Sequence, residues 1–492
     1  MSLTLVTPGM LPADPPDWVA AFGITRSFVT GTAGPVTVTY ALAESGTNPW
    51  GQAYRPLTDA EVATIELSIA RLTRDSGLQL VEAPAGQAQM LIGASSDTAE
   101  TAYGRTWMST TGPVHVVAYD HPYDSPDGLA RNTYIYLHEL MHGVGLNHST
   151  LRTGSTSPVV IPDAEDDGTT LFGNWTVGWN SGVQMFDLAA LQYLYGPDPA
   201  QRSGNDVYRP DPGAFDPDQP EENIPLLWDG GGHDRIDLSG AAGPVHASLT
   251  PGVISQVNTD NTGLLEAGTF AINHNSRFEV LEGSAHDDTL EGSEASDTLI
   301  GGAGNDVLSG GATAQDLRDV LYGGAGNDRL HGGAGNDELR GDGGHDRIEG
   351  GQGADTLIGG TGNDQLGGGT WGDALFGGDG DDFLNGGFGH DQVNGGAGAD
   401  RFYHLGVEGH GSDWIQDYDA TEGDVLQFGG TASAADFQVN VTETANAGEA
   451  GVEEAFVIYR PTGQILWALV DGAAQDAVTL VLGGVEYDLT LA

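Results

Sequence analysis

Two hydrophobic periods divide the chain. From about residue 36 to residue 196, apolar residues fall at helical and strand spacings in turn. "LTDAEVATIELSIARLTRDSG" opens with Thr58 and Glu61 at capping-box spacing, sets Val62, Ile65, Ile69 and Leu72 on one face and stops at Gly77, which predicts an amphipathic helix. "AQMLIG" and "VHVVAY" predict short strands, and "NTYIYLHELMHG" a second helix. "DLAALQYLYG" predicts a third, capped by Asp187 and ended by Gly196. Residues 197–226, rich in Pro and Asp, read as a linker.

From Gly283 a period of nine takes over, seen cleanly in "GGAGNDVLS", "GGAGNDRLH" and "GGTGNDQLG". Its sixth place is Asp at 288, 297, 306, 319, 328, 337, 346, 355, 364, 373, 382, 391 and 400, with one gap where "TAQDLRD" inserts four residues. The Gly-rich part can turn with positive φ, and the apolar residue at the eighth place belongs to a short strand that faces inward. One unit cannot bury that residue alone, whereas stacked coils can. Their aligned carboxylates and carbonyls then form oxygen cages of the kind Ca2+ prefers. A flexible Gly/Asp linker would not keep Leu and Asp in register, so Asp288, Asp297, Asp306, Asp319, Asp328, Asp337, Asp346, Asp355, Asp364, Asp373, Asp382, Asp391 and Asp400 are candidate calcium ligands. Beyond Tyr403 the repeat ends and strand-prone Val, Leu, Thr and aromatic residues return.

Composition sharpens this picture. Seventy acidic residues against 17 basic ones, all Arg, give a net charge of −53, which excludes binding to nucleic acid backbones and calls for neutralising cations. With no Cys, there are no disulfides and no thiolate ligands, so a metal site would draw on nitrogen and oxygen alone. No apolar run is long enough to span a membrane, and the start "MSLTLVTPGM" is a poor Sec signal, so export would take another route.

The second predicted helix carries "HELMHGVGLNH", residues 138 to 148. His138 and His142 stand four apart and share a helix face, and Gly145 can turn the chain so that His148 becomes a third ligand. Three imidazoles leave the fourth position of a tetrahedral zinc open to water, whose pKa falls to about 7. Glu139 is then placed to take that water's proton.

The motif fits the metzincin pattern HExxHxxGxxH. With "ASSDTAETAYG" before it, and "DLAALQYLYG", "LWDGGGHDRIDLSG" and the GGxGxD units after it, the chain from about residue 36 resembles the serralysins, the secreted calcium-dependent zinc endopeptidases of bacteria. The resemblance implies a multidomain protein: an α/β (α+β) metzincin protease domain, then an all-β parallel β-roll with a C-terminal β cap. The expected boundaries are 1–35 for an N-terminal segment and candidate propeptide, 36–200 for the protease domain and 201–282 for a linker and the start of the roll domain. The repeats would fill 283–403, and a β region with a type I secretion signal 404–492.

It also implies one catalytic Zn2+ on His138, His142 and His148, Glu139 as general base and several structural Ca2+. Ala102, Tyr103 and Gly104 match the edge strand that receives substrate backbone. Arg202, Gly204, Asp206, Asp229, Gly231, Gly232 and Asp234 match calcium segments ahead of the roll. Expected partners are protein or peptide substrates, a type I secretion apparatus and a proteinaceous inhibitor, and the expected location is extracellular. One departure stands out. The family's Met-turn, usually Met-Ser-Tyr, is missing: after His148 the only Met is Met185, and Leu171 in "TTLFGNW" lies nearer the expected place. Losing the Tyr removes an oxyanion partner. The alternative reading is therefore a calcium-folded surface or matrix protein whose protease domain binds zinc but is weakly active or inactive.

Overall fold

A computed structural model describes residues 36–73, 76–95, 104–107, 113–119, 136–137, 139–141, 144, 203–209, 226–257, 269–272, 276–311, 317–407, 410–444, 447–448 and 451–491. The chain divides into two compact units. One holds the described residues up to Asp206 with 226–232, 269–272 and 276–277; the other holds Val207–Arg209, 233–257 and 278 onward.

The first unit is built on a sheet of β1 (Val36–Ala43), β2 (Tyr54–Arg55), β3 (Leu78–Glu82), β4 (Met90–Ser95), β5 (Gly104–Trp107) and β6 (Val114–Tyr119). Its order is β3-β1-β4-β6-β5, with β2 pairing β4. β1, β3, β4 and β6 are parallel, whereas β5 closes the far edge antiparallel to β6. The strands read from "AQMLIG" and "VHVVAY" are β4 and β6, β4 running on through buried Ala94 and Ser95.

Helix α1 (Asp59–Thr73) fills the crossover between β1 and β3, as parallel neighbours require. The expected capping box is present: the Glu61 N–H donates to Thr58 Oγ1 at 3.2 Å and the Thr58 N–H to Glu61 Oε2 at 2.8 Å. Glu61 also takes a two-pronged ion pair from Arg55, at 2.9 and 2.5 Å. Ile65, Ile69 and Leu72 are buried, each contributing roughly 1.5–3 kcal/mol.

In the second unit, successive nonapeptides alternate between two parallel sheets. Thr298–Ala303, Val320–Ala325, Glu338–Gly343 and Thr356–Thr361 are neighbours in one; Val307–Ser309, Arg329–Ala334, Arg347–Gln352 and Gln365–Thr370 are neighbours in the other. Register places Leu321, Leu339, Leu357 and Leu375 in one file and Leu330, Ile348, Leu366 and Leu384 in the facing one, all 2% exposed or less. This is the parallel β-roll. At Gly353, in the fourth place of its unit, φ is +134° and a Cβ would strike the Gly335 carbonyl, so a side chain is barred there.

The coils outlast the sequence period. Asp413–Ile415 adds in parallel to Gln392–Ala397, and Val425–Phe428 to Arg401–His404. Gln464–Leu469 and Thr479–Leu482 then add to these in turn. Antiparallel pairing enters with Phe437–Thr442, Glu454–Tyr459 and Val485–Asp488. Among the described residues no helix is long and apolar enough to cross a membrane.

Candidate functional site

His138, His142, His148, Ala102, Tyr103 and Arg202 lie outside the described residues, as do Leu171 and Met185. Glu139 is described, and so is the frame that carries it. Residues 136–137 and 139–141 are helical, and the Val144 N–H donates to the Leu140 carbonyl at 2.9 Å. Leu137, Leu140, Met141 and Val144 are fully buried at i, i+3, i+4 and i+7, so an apolar stripe seats this helix in the core. A helical frame is what the four-residue step from His138 to His142 needs, and an all-imidazole donor set suits zinc.

Glu139 is 8% exposed. A buried carboxylate needs donors, and one comes from β5: Thr106 Oγ1 lies 2.7 Å from the Glu139 carbonyl oxygen and 2.8 Å from Oε2. Gly104 opens that same edge strand.

The roll carries the second set of candidate residues. The sixth-place aspartates are 2% exposed or less and stand in two columns. In each column a backbone N–H donates to the carboxylate one coil on: Asp328 to Asp346 Oδ1, Asp346 to Asp364, Asp364 to Asp382 and Asp382 to Asp400, all at 2.8–2.9 Å. Asp337, Asp355, Asp373 and Asp391 repeat this in the other column. The ladder uses one oxygen of each carboxylate. The other, Oδ2, is buried without a hydrogen-bond partner at Asp306, Asp328, Asp337, Asp346, Asp355, Asp364, Asp373, Asp382, Asp391 and Asp400.

These orphaned oxygens converge with carbonyls. A Cβ on Gly359 would strike both Asp364 Oδ2 and the Gly377 carbonyl, and Gly350, Gly368 and Gly377 repeat the arrangement. Hard oxygen donors of opposite charge to a cation, buried and otherwise unsatisfied, fit Ca2+.

Ahead of the roll, carboxylate oxygens of Asp206 and Asp229 lie within 4.8 Å of one another. Asp229 accepts the Gly231 N–H at 2.6 Å, and Gly231 and Gly232 hold φ values of +123° and +155°. Gly204 precedes Asp206 in the same stretch. In the other unit, Asp234 is fully buried and its N–H donates to Glu279.

Comparison with known proteins matches the repeats to the RTX calcium-binding nonapeptide repeat, at residues 282–314, 313–348, 340–370 and 368–402. Serralysin B of Dickeya chrysanthemi is 30% identical over 183 residues, 33% of this chain and 37% of that protein. Serralysin C of the same organism is 28% identical over 151 residues, 27% and 32% of the two. Over part of its length this chain is similar to the serralysins, and it carries RTX repeats. It spans about a third of the length of the curated relatives it matches. A structure of myroilysin aligns with 34% of the chain and 97% of its own at 12% identity and a TM-score of 0.22, too low to bear on the fold.

Burial shapes the titration of the aspartate columns. Desolvation, with repulsion from nearby carboxylates added to it, lifts Asp306, Asp364, Asp373 and Asp400 to about 7, and Asp328, Asp355 and Asp382 to about 6, against backbone N–H bonds that oppose the rise.

Sequence reading missed two members of these columns. Asp424 accepts the Asp400 N–H at 2.9 Å and is itself raised to about 6 by burial. Asp413 is the register partner of Asp391: the strands that follow them pair Gln392 with Trp414 and Val393 with Ile415. Burial, then the neighbouring Asp391, raises it well above the usual carboxylate range. Both keep the unit's Asp-x-apolar signature, in "DWI" and "DVL", with Ile415 and Leu426 fully buried. That signature, searched without a fixed step, finds them. Glu279 in "EVL" plays the Asp part at the other end, accepting the Asp234 N–H at 2.7 Å.

Proposed function

We propose that this chain is a secreted calcium-dependent zinc endopeptidase that hydrolyses peptide bonds of extracellular proteins. The observation that carries the reading is Glu139: a buried carboxylate, inside a zinc-ligand motif, held by an edge strand. His138, His142 and His148 would hold the metal, which when bound supplies an acidified water and a Lewis acid for the carbonyl. Substrate backbone would add along the side of β5 that no described strand pairs, with Ala102, Tyr103 and Gly104 taking part. Glu139 accepts the proton of the attacking water and returns it to the leaving amine nitrogen, so that bond cleavage leaves no charged amide. The departure at the Met-turn means that no Tyr is assigned to the oxyanion.

The roll links folding to export in this proposal. Where Ca2+ is scarce, columns of buried carboxylates oppose folding, and the chain stays open for a type I apparatus that reads the segment 404–492. Outside, millimolar Ca2+ neutralises the columns and residues 201–403 fold. The protease domain at 36–200 and a propeptide at 1–35 complete this division, and a proteinaceous inhibitor would act at the same site.

Casein hydrolysis by protein refolded in Ca2+ with one equivalent of Zn2+ tests the reading. The parent should cleave, and Glu139→Ala should lose roughly 10²–10⁴-fold in rate with its calcium-dependent β signal intact. Cleavage by neither, with zinc bound, would favour the second reading, a calcium-folded surface protein, for which the missing Tyr speaks.

A further inference from the structure

We infer that Thr106 is a positioning residue for Glu139, its hydroxyl setting the carboxylate's orientation from the edge strand. The inference rests on the endopeptidase reading and deepens it.

A glutamate side chain has three torsions, and a polar partner can fix them. Thr106 does so in an unusual way. Its single hydroxyl stands 2.7 Å from the main-chain oxygen of Glu139 and 2.8 Å from the side-chain Oε2 of the same residue. One hydroxyl proton, shared between a main-chain and a side-chain acceptor of the same residue, ties the carboxylate to its own backbone and limits its freedom relative to the helix. The anchor is itself rigid. Thr106 pairs with Val116 on β6, which is fully buried, and a β-branched side chain has few χ1 choices.

The location gives the bond its significance. Thr106 stands two residues from Gly104 on the strand proposed to receive substrate. The strand that would align the peptide and the group that would deprotonate water are therefore joined by one hydroxyl, 33 residues apart in sequence. Misplacing a reacting group by about 1 Å is enough to cost roughly 10²-fold in rate. Removing the hydroxyl should consequently lower kcat and leave KM almost unchanged, because strand pairing through the backbone is untouched.

The test compares the full chain, refolded in Ca2+ with one equivalent of Zn2+, with Thr106→Val and Thr106→Ser on casein. Thr106→Val should lose roughly 10- to 100-fold in kcat, change KM less than about twofold and still bind one zinc. Thr106→Ser, which keeps the hydroxyl, should recover most of the rate. A second readout needs no activity. In Ca2+ without zinc, Thr106→Val should lower the melting midpoint, and that loss should at least halve in a Glu139→Ala background, since the two changes remove one contact.

An unchanged kcat in Thr106→Val, a Thr106→Ser no better than Thr106→Val, or loss of zinc from Thr106→Val would each overturn the positioning role. Equal melting losses in both backgrounds would remove the contact itself. A parent that cleaves nothing while the melting losses still couple would instead sink the endopeptidase reading, leaving a structural contact and no base to position.

Discussion

Glu61 in the sheet-and-helix unit is a partly buried carboxylate and Asp364 in the roll a fully buried one, and the chain treats them differently. Burial pushes Glu61 up, but the Arg55 guanidinium and the N–H and hydroxyl of Thr58 outweigh it and hold the group below its ordinary value. Asp364 has one ladder N–H, like charges on either side and an orphaned Oδ2, and it rises to about 7. A carboxylate whose partners come from its own neighbourhood stabilises its fold unaided. A carboxylate repeated coil after coil destabilises its fold until something outside the chain neutralises it. The same residue chemistry therefore gives one unit a carboxylate satisfied from within the chain and the other carboxylates that wait on cations from the medium.

The sign of the pH dependence should differ between the two, and the roll shows the larger effect. Its aspartates are raised from 3.8 to about 6 or 7, so metal-free stability is greatest below about pH 4 and is lost as pH climbs through 6 to 7. In chelator, the β signal and cooperative melting of the roll should be present at pH 5 and largely lost at pH 8, and millimolar Ca2+ should restore both at pH 8. Protons and Ca2+ compete for the same oxygens, so half-saturation should need more Ca2+ at pH 6 than at pH 8. Equal melting in chelator at both pH values would break the comparison.

One carboxylate in the column allows a finer test. Asp364→Asn keeps an oxygen to accept the Asp346 N–H and removes a charge. In chelator at pH 5, where the roll still melts cooperatively, the variant should melt about 2–4 °C higher than the parent, the shift that ~1 kcal/mol produces in a unit of this size. In Ca2+ the order should reverse, with half-saturation moved several-fold upward. A lower midpoint in chelator would show that the charge was already compensated within the chain.

How much of this could be read from residues alone depends on the distance over which each feature is encoded. The capping box at Thr58 and Glu61 spans three residues and was legible, as were the inward Leu and the sixth-place Asp, because a strict period reports one environment many times over. Asp413 and Asp424 escaped because the turns before them are longer: their carboxylates stand 22 and 24 residues beyond their partners Asp391 and Asp400, where the regular coil takes 18. The ladder itself was not legible, since a backbone donor and its acceptor lie a full coil apart. Thr106 left no trace either. Nothing near it in the sequence distinguishes it from any threonine in a strand, and its role arises only when β5 is laid beside the helix of Glu139.

The smallest expected effect sharpens the other side of the comparison. Because Glu61 is held below its ordinary value of 4.5, its contribution is present above that pH and lost as pH falls through the folded value, opposite in sign to the roll. Glu61→Gln keeps the length of the side chain but loses the Arg55 ion pair, and weakens the bond from the Thr58 N–H. With Arg55 and Glu61 24% and 14% exposed, the loss should be about 1 kcal/mol at pH 7 and should shrink as pH falls below 4.5. Amide exchange in α1, read against that of the roll in saturating Ca2+, isolates so small a change: α1 amides should exchange about fivefold faster at pH 7 while roll amides stay as they were. Faster exchange in both would mean that the helix cap and the roll share one stability, and the contrast between a self-sufficient unit and a cation-dependent one would fail.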